Sequence, residues 1–297
     1  MKLANLFLGT LMATTLLTAT VHAAVDKQFP EDDKDYRPGI ETGFDQYKTA
    51  SLKNSKKVAL TFDDGPHAKL TPKFLDILKK YNVKATFFVL TENITPQTMP
   101  IVKRIIAEGH HLASHHHNHN NNNTKSEAAY KEELKNSIKM IAEIMEEENA
   151  PNRQLYYRFP YGAYGGKGLS YHHFNVMKDV SRELFGDNCI NFSFWDIDSL
   201  DWLAPMSESD IASNVMAHIE GGTAYNLTKS MFGNYKKSKY TISKPFGGGV
   251  ILMHDIHEKT LGVLEKTLQN FKNKGIEVVD LADIEEYQYG SKECRLK

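Results

Sequence analysis

Two adjacent carboxylates, Asp63 and Asp64, lie in the hexapeptide Thr61-Phe62-Asp63-Asp64-Gly65-Pro66. The apolar run before them, Val58-Ala59-Leu60, reads as a buried strand that Gly-Pro stops. Neighbouring carboxylates out of water repel each other unless a cation or a proton separates them. Metal-assisted hydrolysis uses such a pair: one Asp holds the ion while the other takes a proton from water. The plain alternative is a solvated turn, since Asp, Gly and Pro all favour turns. The rest of the chain decides between the two.

Chemistry-bearing residues recur where other strands should stop. A third apolar run, His110 to Ser114, opens onto His115-His116-His117-Asn118-His119. Leu155 to Phe159 carries Arg158-Phe159-Pro160-Tyr161-Gly162. Ile190 to Trp195 runs on into Asp196-Ile197-Asp198-Ser199-Leu200-Asp201-Trp202, and Ile251-Leu252-Met253 delivers His254-Asp255. Imidazoles, carboxylates, a guanidinium and aromatics at so many strand ends are hard to explain as core packing.

The elements that must position them alternate. Besides the runs above, Val83 to Leu90 and Ile276 to Val279 read as strands, giving about seven. Between them fall helical stretches at Lys73 to Tyr81, Pro100 to Ala107, Phe174 to Phe185, Ser209 to Ile219 and Thr260 to Lys272. A further helix carries Leu134, Ile138, Ile141 and Met145 at helical spacing. Thr71-Pro72 is expected to cap and open the first helix. Thr124-Lys125-Ser126-Glu127 has the form of a capping box for the helix that follows it. Such alternation implies parallel strands and right-handed crossovers: a distorted α/β barrel, with an open doubly wound sheet second. In a parallel barrel every C-terminal strand end opens on one face, where these groups would meet.

The bulk numbers agree with one large domain. The chain has 297 residues, is 41% hydrophobic and has a formal net charge of −1, which gives no reason to expect nucleic acid or an acidic membrane surface. Lys2, the apolar stretch Leu3 to Leu17, and small residues Val21 and Ala23 read as a secretory signal cut after residue 23. The stretch is too short and Thr-rich for a stable membrane anchor. Residues 24–56 are polar and irregular, an arm ahead of a domain at 57–297. Export permits a disulfide between Cys189 and Cys294; two free thiols remain the alternative. Asn118 to Asn123 is a low-complexity loop, and residues 221–248 form an inserted surface excursion.

With these residues in view, the chain resembles the polysaccharide deacetylases with a NodB-type domain (carbohydrate esterase family four), over roughly Lys57 to Ile284. TFDDGP is matched unchanged, the metal-binding histidine pair falls at His115 and His119, and RxPYG is Arg158 to Gly162. DxxDW is Asp198 to Trp202, and the Leu-x-His motif is Leu252 to His254. Each string is weak alone; five in order are not. The resemblance implies a distorted (β/α) barrel and a divalent metal held by Asp64, His115 and His119. Zinc is the default metal, with cobalt or nickel able to serve. It implies Asp63 as base, paired with Arg158 and kept ionised by it, and His254 as acid, oriented by Asp201. The Tyr161 backbone N–H would serve the oxyanion, and Trp202 with Leu252 would wall the acetyl pocket.

The position after the first histidine is usually Ser or Thr; here it is His116, which leaves the coordination number open. His110, His111, Phe194 and Trp195 are read as packing groups, and Lys236 to Lys239 as a solvated face. Asp196 and Asp255 have no assigned role. The implied activity is removal of acetyl groups from N-acetylglucosamine units of a polysaccharide by an exported monomer, with no nucleic-acid partner and no stable membrane anchor. Peptidoglycan is the first expectation and chitin the second. A catalytically silent glycan-binding protein is a third reading, which would have lost the base, a ligand or the acid.

Overall fold

The computed structural model of the protein describes residues 48–165, 171, 173–229, 235–288, 290 and 294–297. The expected signal segment, 1–23, and most of the expected arm fall in residues 1–47, outside the described residues. From residue 57 onward strand and helix alternate: β1 (Lys57–Asp63), α1 (Thr71–Tyr81), β2 (Thr86–Val89), α2 (Met99–Ala107) and β3 (His111–Ser114). Then come α3 (Glu127–Glu147), β4 (Leu155–Tyr157), α4 (His173–Phe185), β5 (Ile190–Phe192), β6 (Ile197–Asp198) and α5 (Glu208–Glu220). The hairpin β7 (Gly222–Lys229) and β8 (Tyr235–Ile242) precedes β9 (Gly249–His254), α6 (Glu258–Lys274) and β10 (Glu277–Val278).

The main sheet runs β5-β4-β3-β2-β1-β9-β6, all parallel, with β10 pairing beside the start of β1. It curls into a half-barrel whose edge strands are β5 and β6. The expected barrel is therefore present but not closed by a β5–β6 pairing among the described residues. The sequence reading missed β6, because two residues ending in Asp give no periodicity to detect. It also read 221–248 as an irregular excursion, where the structure has an antiparallel hairpin built on residues 222–242.

Alternation along each strand sorts the side chains. Val58, Leu60 and Phe62 of β1 face the helix layer, packing with Phe74, Leu75 and Leu78 of α1. Ala59 faces the hollow of the curl, in a second apolar cluster with Phe88, Ala113, Tyr156 and Val250. Because strand side chains repeat every second residue, Thr61 and Asp63 share the face of Ala59, as Leu252 and His254 share that of Val250. The same count takes β4 from Tyr156 inward to Arg158. One period of two thus delivers a carboxylate, a guanidinium and an imidazole to a single interior.

Two helix starts differ from expectation. Thr71 is the first helical residue rather than the cap; its hydroxyl accepts the His67 N–H (2.8 Å) and donates to Asp255. The cap of α3 is Ser126, whose side chain accepts the Ala129 N–H, so Thr124 and Glu127 form no box. A reciprocal capping box stands instead at α5, between Ser207 and Asp210.

Residues 49–56 are fastened to the body. The Asp196 carboxylate accepts the Thr49 N–H (2.9 Å), the Thr49 hydroxyl and the Val250 N–H (2.7 Å), which gives Asp196 a structural role. At the other end a disulfide joins Cys189, just before β5, to Cys294 in the C-terminal tail. Closing so long a loop restricts the unfolded chain. Replacing both cysteines by Ala should therefore lower unfolding free energy by about 2–4 kcal/mol, measured by urea titration of the oxidised protein and the variant.

Candidate active site

The C-terminal strand ends enclose a cavity of about 300 Å³ lined by Asp63, Asp64, His115, His119, Phe159, Tyr161, Trp195, Asp198, Trp202, Leu252 and His254. Nine of the ten site residues expected from the sequence line it or stand directly behind it. The tenth, Arg158, lies fully buried beneath.

Asp63 is 2% exposed and sits opposite His254 in the β1–β9 register. Arg158 donates from Nη1 to Asp63 Oδ1 (2.7 Å) and to Thr61 Oγ1 (2.8 Å). Its other donors reach the Ser193 carbonyl (3.0 Å), the Ser193 hydroxyl and the Phe194 carbonyl (2.9 Å), while the Phe88 ring lies 4.1 Å from the guanidinium carbon. The expected pairing is there, but its effect is weaker than expected. Burial raises Asp63, Arg158 and His254 lower it, and the net result is about 6. Desolvation wins over the ion pair.

Asp64 follows at φ 73°, a left-handed backbone that turns its side chain away from that of Asp63. Gly65 makes the turn possible for a different reason: a Cβ there would lie 2.6 Å from the Asp255 carboxylate oxygens. Asp255 is wholly buried, and burial pushes it up to about 7. Its role is to pack under this turn and hold Thr71.

One ligand atom each from Asp64, His115 and His119 falls within 4.8 Å of the others. His115 Nε2 is 3.5 Å and His119 Nε2 3.7 Å from Asp64 Oδ1. That oxygen is buried and has no hydrogen-bond partner in the protein. The His115 Nδ1–H donates to the Arg158 carbonyl (2.8 Å), leaving Nε2 as the free lone pair. Burial, with His254 nearby, lowers the pKa of both His115 and His119, against an opposing pull from Asp63 on His119; the net effect favours the neutral imidazoles. Two neutral imidazoles and a carboxylate with an orphaned oxygen are a donor set that fits a divalent ion.

His116 does not join them. At φ 75° its ring turns away, meeting Glu133 (3.1 Å) and the Tyr157 hydroxyl (3.1 Å) and stacking on Tyr130. The extra histidine is a structural substitute, neutral because burial lowers it to about 4.

Across the cavity, the Asp201 carboxylate accepts from His254 Nδ1 (2.7 Å), the His254 backbone N–H (2.7 Å) and the Thr260 hydroxyl (2.7 Å). Burial alone would lower His254, but Asp201, with Asp63 and Asp64, raises it to about 10. It stands as an imidazolium with Nε2 directed toward Asp64, 3.9 Å from Oδ2. Tyr161 has φ 59°, rare for a non-glycine residue, and its exposed ring packs edge-on against His119 at 4.3 Å. Trp202 is half exposed and Leu252 buried, on the cavity wall.

The sequence reading gave no site role to three cavity residues, Phe159, Trp195 and Asp198. Trp195, assigned to the core, is half-buried with one side on the cavity. Asp198 had been quoted without a role; burial raises it to about 6. Asp198 lies on β6, whose pairing with β9 the sequence did not reveal.

A half-barrel whose cavity gathers a buried carboxylate, a donor set that fits a divalent ion and a protonated imidazole has the parts of a hydrolase-type centre. A family profile described as polysaccharide deacetylase matches residues 51–173. The peptidoglycan-N-acetylglucosamine deacetylase of Listeria monocytogenes serotype 1/2a (strain 10403S) is 32% identical over 245 residues, 81% of this chain. The chain spans only 40% of that relative's length. A solved peptidoglycan N-acetylglucosamine deacetylase, bound to a hydroxamate-type benzamide, is 31% identical, with a TM-score of 0.56 covering 80% of this chain and 90% of that one. An acetyl xylan esterase from Clostridium thermocellum, holding a cobalt ion, shares the fold at 22% identity, TM-score 0.56, covering 80% and 94%. The chain belongs to the polysaccharide deacetylase family.

Removing the guanidinium leaves a buried carboxyl alone. Arg158→Leu should cost about 3–5 kcal/mol in a urea melt at neutral pH, where Asp63 must either ionise unpaired or take up a proton.

Proposed function

We propose that the protein is an exported, metal-dependent N-deacetylase acting on N-acetylglucosamine units of peptidoglycan. The observation that carries the chemistry is the placement of Asp63 and the imidazolium of His254, register neighbours on β1 and β9, each beside the Asp64–His115–His119 donor set: Asp63 Oδ2 is 3.7 Å from His115 Nε2, and His254 Nε2 is 3.9 Å from Asp64 Oδ2. The substrate class follows from the two relatives at 31–32% identity, both named for N-acetylglucosamine removal from peptidoglycan. Export accords with the disulfide and with an extracytoplasmic polymer. Among the described residues no helix is long and apolar enough to cross a membrane.

Asp64, His115 and His119 would hold the ion, with zinc the default and cobalt an alternative. A divalent ion there supplies Lewis acidity, polarising the acetyl carbonyl and lowering the pKa of water. The residues do the rest. Asp63 takes the proton of water as the new C–O bond forms on the acetyl carbon; a base near 6 is largely ionised at neutral pH and still basic enough to accept. The backbone N–H of Tyr161 donates to the developing oxyanion. As the C–N bond breaks, His254 delivers its Nε2 proton to the leaving nitrogen, giving a free amine and acetate. Asp201 fixes the ring so that Nδ1–H is committed and Nε2–H faces the substrate. Trp202 and Leu252 take the acetyl methyl.

Acetate release from peptidoglycan sacculi, chitin pentamer and acetylated xylan tests this reading, with zinc-loaded protein beside Asp63→Asn. Release from sacculi, lost in the variant and on chelation and restored by zinc, is expected. Preference for the pentamer would move the substrate to chitin; retention of glycan binding with no release at all would leave the silent reading. Asp201→Asn removes the largest influence that raises His254. The acid should then lose its proton at lower pH, moving the alkaline limb of the kcat/KM profile to lower pH and cutting kcat by about 10²–10⁴.

A further inference from the structure

We propose that the β7–β8 hairpin is an electrostatic anchor whose exposed lysines hold the carboxylates of the peptide stems that peptidoglycan carries beside its glycan. The inference deepens the peptidoglycan reading above and rests on it for the identity of the polymer.

Charge is unevenly spread along this chain. Between Glu220 and Asp255 there are five lysines and no aspartate, glutamate or arginine, in a protein with 37 acidic residues and a net charge of −1. The rest of the molecule is therefore acidic, and a basic excess is gathered on one ribbon and the turn after it. Exposed lysines on the helices sit beside acids: Lys80 with Glu265, Lys103 with Glu148, Lys139 with Glu143. Lys236, Lys239 and Lys244 are exposed and stand in no ion pair among the described residues.

The hairpin is rooted in the body rather than hung from it. The Asn214 side-chain oxygen on α5 accepts the Tyr225 N–H (2.7 Å), Ser213 donates to the Thr223 carbonyl (2.7 Å), and Lys237 pairs with Asp210 at 2.7 Å. Tyr225 and Leu227 share an apolar cluster with Leu200 and Leu203, which flank Trp202 of the cavity wall. Strand alternation places Lys236 and Lys239 on opposite faces of the ribbon. Tyr240 shares the face of Lys236 and Tyr235 that of Lys239, both rings exposed. Each face thus offers a cation and an amphipathic ring.

Reading these lysines as a solvated face accounts for their exposure only. Lysines on a free strand edge also discourage strand-to-strand aggregation, but acidic side chains block an edge too. Neither explains why a single sign is used over the whole stretch. A surface of one sign selects a partner of the other. One exposed lysine–carboxylate pair is worth little. Three lysines on a rooted ribbon, meeting an anion repeated along a polymer, act together. Chitin offers the same acetylated sugar without carboxylates, so the anchor separates two polymers that the catalytic residues treat alike.

Sedimentation with purified sacculi at low salt measures the anchor, comparing wild type with Lys236→Gln/Lys239→Gln/Lys244→Gln. Apparent affinity should fall about tenfold, or about 1.4 kcal/mol, the ordinary worth of three exposed pairs. Lys80→Gln/Lys103→Gln/Lys139→Gln removes the same charge from helix surfaces and should bind as wild type; thermal melts check that both triples fold. Amidating the sacculus carboxylates should bring wild type down to the level of the hairpin variant. With zinc-loaded protein, kcat/KM for acetate release from sacculi should fall by the same factor in the hairpin variant, and that for chitin pentamer should hold. Unchanged binding by the hairpin variant, an equal loss in the helix variant, or an equal loss on the pentamer overturns the anchor. So does a lysine-dependent affinity that survives amidation but vanishes when phosphodiester polymers are stripped from the sacculi, or that is found only on phosphatidylglycerol vesicles. Absence of acetate release from every glycan sinks the deacetylase reading, while sedimentation still decides the anchor.

Discussion

A fully buried guanidinium governs this structure. Arg158 spends its donors on β1, through Thr61 and Asp63, and on the chain leaving β5, through Ser193 and Phe194. It thereby ties the strand that carries the base to the strands on the other side of the curl. The tie does not make Asp63 an ordinary carboxylate: a rise from 3.8 to about 6 means that ionising it at neutral pH costs about 3 kcal/mol relative to water. Without Arg158 that cost would be larger. The cation keeps the carboxylate both in place and within range of ionisation, and the candidate metal donors Asp64, His115 and His119 lie beside what it fixes.

The mouth of the half-barrel holds a cluster of unfavourable backbone. Asp64, His116, Tyr161 and Leu200 all have positive φ, and each follows within a few residues of a strand end that feeds the cavity. Non-glycine residues in that region cost of order 1 kcal/mol or more apiece and persist where the surroundings over-determine them. Each turn here separates two neighbouring side chains with different destinations: Asp63 from Asp64, His115 from His116. A strand can alternate faces but cannot aim consecutive residues at two points around one cavity. The positive φ supplies the missing rotation.

How much of this could be read from the sequence follows from the same geometry. The alternation of elements was legible because strands such as Val58–Phe62 and Val250–Met253 are continuous apolar runs, as strands buried on both faces are. The residues proposed as base, ligands and acid stood out because they sit in motifs at those strand ends. Asp198 did not: its strand, β6, is two residues long, and its place beside β9 depends on pairing that no local pattern encodes; Trp195 lies on the connection between β5 and β6. The hairpin at 222–242 was also hidden, since β8 is solvated along most of its length and shows no apolar alternation. Asp196 and Asp255 looked functionless for a related reason. Their partners, Thr49 and Val250 for one, Gly65 and Thr71 for the other, are distant in sequence and carry no chemistry of their own.

The contact between Gly65 and Asp255 makes two remote positions behave as one. The space that a methyl group would need at 65 is already taken by a carboxylate anchored from the end of β9, so neither residue can drift on its own. A larger side chain at 65 becomes admissible only when 255 shrinks, and shrinking 255 releases Thr71 at the head of α1. The turn behind the paired aspartates is thus protected from gradual change by a steric lock that has no part in the chemistry.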